Sequence, residues 1–152
     1  MEIKLTLNGK PVTASIDADT LLIDFVRDHG CYSVKRGCET ANCGLCTVLV
    51  DGRPVLSCST LTARIDGKVV ETMEGLQSEA AEIGTYLADE GAEQCGFCSP
   101  GLIMNIIGMT RELNNPTEDD IRNYLAGNLC RCTGYVSQLR AIRKYLAEKE
   151  EA

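Results

Sequence analysis

The chain has 152 residues, 15 basic and 22 acidic, and its net charge of −7 is shared by both halves: 8 basic against 10 acidic up to Gly75, then 7 against 12. Neither half carries the basic footprint that nucleic-acid binding requires, which excludes that class. Hydrophobic content is 44% with 5% aromatic residues and no tryptophan, so the cores are modest, and small domains of this kind commonly need metals or disulfides to hold them.

No leading run joins a basic start to an apolar core, and the longest apolar stretch, Leu102 to Met109, is broken by Asn105 and too short to span a bilayer. The expectation is a cytoplasmic chain with no membrane partner.

Glu2 to Leu7 alternates polar and apolar residues, Asn8-Gly9 turns the chain, and Lys10 to Ile16 returns it as a hairpin. Thr20 is the expected cap of a helix from Leu21 to about Asp28, with Gly30 ending it. Ser33 to Cys46 is too rich in glycine and cysteine for regular structure. Thr47 to Val50, Asp51-Gly52 and Arg53 to Ser57 read as a second hairpin, and Lys68 to Thr72 as a further strand.

Beyond Gly75 the pattern becomes helical. Ser78 is the expected cap of a helix ending at Gly91, and Ser99-Pro100 opens an apolar helix to about Leu113. Thr117-x-x-Asp120 starts a third helix, and Val136 to Lys149 forms the last. The fold class is therefore α+β: a ferredoxin-like β-grasp domain over 1–75, then a four-helix bundle over 76–152.

Eight of the nine cysteines fall into two unlike sets of four. The first is Cys38-x4-Cys43-x2-Cys46, closed by Cys58; the second is Cys95-x2-Cys98 followed far downstream by Cys130-x-Cys132. The first spacing is that of plant-type [2Fe–2S] proteins. Disulfides would suit a secreted chain, and a four-cysteine zinc site is the serious rival in a reducing compartment. Zinc knuckles usually come as two Cys-x2-Cys pairs, and neither set has that form, so the spacing favours iron. His29, the sole histidine, excludes a Rieske centre, which needs two. Cys31 is left over and reads as a small buried hydrophobe. Lys35, Arg36 and Arg53 lie near the first set, either offsetting its negative charge or simply solvated. The second set is expected inside the helical bundle, near helix N-termini that favour an anionic centre.

At these two sets the chain resembles the small iron–sulfur subunit of molybdenum hydroxylases, the family of xanthine dehydrogenases, aldehyde oxidoreductases, carbon monoxide dehydrogenases and nicotinate dehydrogenases. The segments carrying the resemblance are Gln94-Cys-Gly-Phe-Cys-Ser-Pro-Gly101 and Gly127-Asn-Leu-Cys-Arg-Cys-Thr-Gly-Tyr135, supported by Gly37-Cys38 to Cys46 and Thr47 to Gly52. It implies an outer cluster on Cys38, Cys43, Cys46 and Cys58, and an inner cluster on Cys95, Cys98, Cys130 and Cys132. It also implies that Gln94 and the neighbourhood of Cys132 touch the molybdopterin cofactor held mainly by a large subunit. Electrons would run from molybdenum through both clusters to FAD on a medium subunit or domain. Relatives usually carry glycine where this chain has Glu39 and Ala41, so a local difference in the first loop is expected. The alternatives are a stand-alone two-cluster ferredoxin or redox sensor, and a structural zinc protein. No catalytic set, Walker loop or Rossmann fingerprint is present, so the chain itself is expected to be non-catalytic.

Overall fold

The computed structural model describes the backbone of residues 1–151 and the side chains of residues 1–149. Strands β1 (Glu2–Leu7) and β2 (Lys10–Ser15) form the first hairpin, and β3 (Thr47–Val50) and β4 (Arg53–Leu56) the second. Their turns take the left-handed backbone that Asn-Gly and Asp-Gly allow: Asn8 φ 50 and Gly9 φ 76, Asp51 φ 50 and Gly52 φ 80. With β5 (Val69–Glu71) they make one five-stranded sheet in the order β2-β1-β5-β3-β4. β5 runs parallel to β1 and antiparallel to β3. Helix α1 (Leu22–Asp28) buries Leu22, Ile23, Phe25 and Val26 against this sheet.

The second half holds α2 (Gln77–Asp89), α3 (Ser99–Glu112), α4 (Glu118–Tyr124) and α5 (Val136–Glu151). Residues Ser99 to Met109 of α3 are buried with the sole exception of Asn105, so this helix is the centre of the second core. The two cores meet at β3. All four of its residues are buried, Val48 and Val50 in the first core and Leu49 in the second. That is why Thr47-Val-Leu-Val50 reads as an unbroken apolar run: both faces of the strand are covered.

Three capping expectations are corrected. Leu21, Leu76 and Cys98 are the N-caps of α1, α2 and α3, none with a side-chain cap bond. Thr20 lies one residue too early; its carbonyl instead accepts the N–H of Thr62. Ser78 lies inside α2. Ser99 sits in the first turn of α3, where its hydroxyl donates to Glu93 Oε1 at 2.6 Å. Only the Thr117–Asp120 capping box forms as read.

Candidate metal centres

The β3–β4 register explains how the first set closes. Thr47 lies opposite Leu56, so the residues just outside that pair, Cys46 and Ser57, also come together. The Cys46 carbonyl accepts both the N–H of Ser57 at 3.3 Å and its hydroxyl at 2.7 Å. Cys58, next in the chain, thereby faces Cys46, and the charges of Cys38 and Cys43 also act on it. Gly44 must be glycine. It has φ +74, and a Cβ there would stand 2.5 Å from the Gly127 carbonyl oxygen. Ala41 also takes a left-handed conformation, φ 54. A non-glycine residue there carries local strain, and Glu39 has no positive φ.

The second set is assembled from two helix entries. Cys98 is the N-cap of α3, with Gly96 at φ 73 turning the chain between Cys95 and Cys98. Cys130 and Cys132 belong to a loop that bonds itself before α5. The Cys130 N–H donates to the Tyr135 hydroxyl at 3.0 Å, and the Thr133 N–H and hydroxyl reach Cys130 Sγ at 3.4 and 3.2 Å. The Gln94 side-chain amide donates to the Cys132 carbonyl at 3.3 Å, which brings both expected pterin neighbours together. One expectation fails. The second set is not enclosed by helices, because Cys95 and Cys132 are exposed and Cys98 and Cys130 are half-buried. Their loops stand at the helix ends, beyond the packed stretches, and exposed Phe97, Leu129, Tyr135 and Val136 surround them. The first set is deeper, with Cys43 and Cys46 buried.

Within each set the thiols stand in pairs. Cys43 acts on the ionisation of Cys38, Cys46 on that of Cys58, and Cys130 on that of Cys98. Cys95 Sγ lies 3.5 Å from Cys132 Sγ. Among the described residues no three Cys, His, Asp or Glu side chains converge as a single-ion site would require. Paired thiols suit a two-iron cluster, in which each tetrahedral iron takes two cysteines. Electrostatics divides the pairs further. The N–H groups of Asn42 and Thr40 hold the Cys38 thiol down at about 6. Burial opposes ionisation of Cys130, but the Thr133 hydroxyl and N–H bring it to about 7. Burial followed by the neighbouring sulfur pushes Cys58 and Cys98 up to about 12. Hydrogen bonds thus already favour thiolate at Cys38 in the first set and at Cys95 and Cys130 in the second, from backbone N–H groups at Cys38 and Cys95 and first from the Thr133 hydroxyl at Cys130.

Asn128 joins the two sets, a role its place in the Gly127–Tyr135 motif does not announce. Buried at 8% exposure, it donates from Nδ2 to the carbonyls of Gly44 (3.4 Å) and Gly101 (3.3 Å), while its Oδ1 accepts from Asn105 at 2.5 Å. The next residue, Leu129, donates its N–H to the Cys43 carbonyl at 2.9 Å. Cys31 is buried as expected, with Asn8 Nδ2 3.5 Å from its sulfur, and it is apart from both sets.

Residues 5–69 match the family described as "2Fe-2S iron-sulfur cluster binding domain", and residues 72–143 match the "[2Fe-2S] binding domain" family. Along most of its length the chain is 44% identical to the xanthine dehydrogenase iron–sulfur-binding subunit of Escherichia coli O157:H7 (88% of this chain, 86% of that protein). The chain belongs to the iron–sulfur subunits of the molybdenum hydroxylases. The nicotinate dehydrogenase small FeS subunit of Eubacterium barkeri is 36% identical over 97% of this chain and 95% of its own. Among solved structures, a chain of quinoline 2-oxidoreductase from Pseudomonas putida 86 superposes with a TM-score of 0.88 at 37% identity, covering 99% of this chain and 96% of that one. Aldehyde oxidoreductase from Desulfovibrio gigas gives 0.91 at 34% identity, with 99% of this chain spanning 17% of that longer one. As in that family, the role of the chain is electron transfer, and it is a non-catalytic component of an oxidoreductase with two [2Fe–2S]-binding domains.

Proposed function

We propose that the chain relays electrons from the molybdopterin cofactor of a large subunit to FAD on a medium subunit or domain, in a hetero-oligomer resembling a xanthine dehydrogenase. Cys38, Cys43, Cys46 and Cys58 hold the outer cluster, and Cys95, Cys98, Cys130 and Cys132 the inner one. Each [2Fe–2S] cluster, when bound, supplies reversible one-electron chemistry. The observation that carries the reading is the two-by-two coupling of the eight thiols, with Cys95 and Cys132 at 3.5 Å, which suits two-iron clusters.

The rest is the work of the chain. Residues 1–75 form a ferredoxin-like domain, and residues 76–152 a four-helix bundle that presents the inner set. Gln94, fixed to the Cys132 carbonyl, and the exposed Cys132 face lie against the molybdopterin of the large subunit. The exposed Phe97, Leu129, Tyr135 and Val136 around that face exclude water once the large subunit docks. Leu129 and Asn128 lock the two loops, so the clusters keep a fixed separation. Cysteines that hold clusters rather than disulfides fit a reducing compartment, and the location proposed is the cytoplasm. Single serine variants test the assignment. Cys46→Ser should abolish one reduced-state EPR signal and Cys98→Ser the other, each leaving about two irons per chain. Loss of both signals together, or of neither, would contradict two independently ligated centres.

A further inference from the structure

Lys35 and Arg36 lie beside the first cysteine set in sequence, whereas Arg53, expected there too, sits at the turn end of the β3–β4 hairpin, away from Cys46 and Cys58. Arg36 pairs with Asp24 at 2.7 Å and with Glu39 at 3.6 Å. Arg53 is highly exposed and lies 3.8 Å from Glu112. Both charges therefore have carboxylate partners. Lys35 forms no ion pair among the described residues. Its ammonium instead crosses to the other cysteine loop, donating to the Phe97 carbonyl at 3.3 Å and sitting 4.7 Å from the centre of the Phe97 ring. Phe97 is the residue immediately before Cys98.

The far end of Lys35 is anchored equally well. Its own N–H donates to the Leu45 carbonyl at 3.3 Å, one residue from Cys46, and Arg27 Nη1 holds the preceding Val34 carbonyl at 2.6 Å. Lys35 thus spans from the backbone of the Cys38–Cys46 loop to the backbone of the Cys95–Cys98 loop. A solvated lysine has no reason to lie against a carbonyl and a ring of the same residue. Here both contacts fix the ammonium, and cation–π attraction adds to the hydrogen bond.

We propose that Lys35 is a positioning residue that straps the two cysteine loops together and holds an uncompensated positive charge beside the Cys95–Cys98 loop. The proposal rests on the two-cluster reading above. When the centre at that loop takes up one electron from a donor such as dithionite, its charge becomes one unit more negative. A nearby fixed cation stabilises that state, so Lys35 raises the potential of the inner centre and makes it the better electron acceptor. The outer centre, approached only by the backbone of Lys35, feels less of the effect.

The test is an EPR-monitored redox titration of the reconstituted full chain against Lys35→Met, Lys35→Gln and Lys35→Arg, with the inner signal defined as the one lost in Cys98→Ser. In both neutral variants, at the parent's inner midpoint, the reduced-to-oxidised ratio of that signal should fall about tenfold, about 59 mV for one electron. The outer signal should move less, and Lys35→Arg should restore the inner midpoint. Unchanged midpoints in the neutral variants would overturn the proposal, as would an equal fall in Lys35→Arg, which would make the effect one of packing. Loss of iron from both neutral variants while Lys35→Arg keeps it would overturn the tuning of the potential and leave Lys35 only the strapping of the loops. Absence of two signals in the parent chain would instead sink the two-cluster reading itself.

Discussion

Ala41 places backbone strain at a single residue of the first cysteine loop. A left-handed conformation costs a non-glycine residue roughly 1–2 kcal/mol, and Ala41 is held there at φ 54. Glycine removes that strain but adds unfolded-state freedom, so Ala41→Gly should stabilise the cluster-bound chain by about 0.5–1 kcal/mol. A urea midpoint that fails to rise would show that the loop is not strained there. Asn128 is the opposite case, a buried polar side chain that ties several elements together. Asn128→Ala removes its bonds to the Gly44 and Gly101 carbonyls and to the Asn105 amide, although the Gly44 carbonyl keeps the Thr47 hydroxyl, and should cost about 1–2 kcal/mol in denaturant unfolding. A cost within about 0.5 kcal/mol, the range of an ordinary surface change, would contradict its linking role. Ala41 was legible from the sequence because it replaces an expected glycine. Asn128 was not, since its partners lie 84 and 27 residues away and only the assembled fold brings them to one amide.

At the scale of elements, the segment between β5 and α2 is pinned by Glu74. Its carboxylate accepts the Ser33 N–H at 2.8 Å, the Ser33 hydroxyl at 2.7 Å and the Thr72 hydroxyl at 2.6 Å. Burial works against the charge, but the Thr72 and Ser33 bonds prevail and hold Glu74 below its ordinary 4.5. A depressed carboxylate adds stability that is fully present above 4.5 and is lost as pH falls through the lower folded value. The chain should therefore lose stability on acidification below 4.5 in a way that Glu74→Gln does not; parallel pH profiles for the two would contradict this. The hairpins, by contrast, were legible residue by residue. Asn8-Gly9 and Asp51-Gly52 demand left-handed turns, and alternation in β1 sets which face is buried. Helix starts were less legible. Thr20, Ser78 and Ser99 have the chemistry of caps, but Leu21, Leu76 and Cys98 occupy those positions because tertiary packing sets where each helix begins.

Across the whole molecule, glycines let the two halves approach at backbone distance. A Cβ at Gly101 would stand 2.4 Å from the Gly44 carbonyl oxygen, and one at Gly108 would stand 2.8 Å from the Pro54 ring. Gly101→Ala should thus push α3 off the outer cysteine loop and cost about 1–3 kcal/mol, with a thermal unfolding midpoint unchanged from the parent as the contrary result. The close approach serves the relay, since it holds two sets of four cysteines each in one body. Cysteine spacing made the two sets legible from the start. The exposure of the inner set was not, because apolar helices around a loop do not reveal which of its ends faces outward.

Low-temperature EPR of the dithionite-reduced chain, with iron and acid-labile sulfide measured on the same sample, decides whether those sets form two centres. Two distinct spin-half signals with about four irons per chain are expected, because each [2Fe–2S] centre gains one unpaired electron on reduction. A colourless, EPR-silent, zinc-containing protein prepared without air would contradict the electron-relay account.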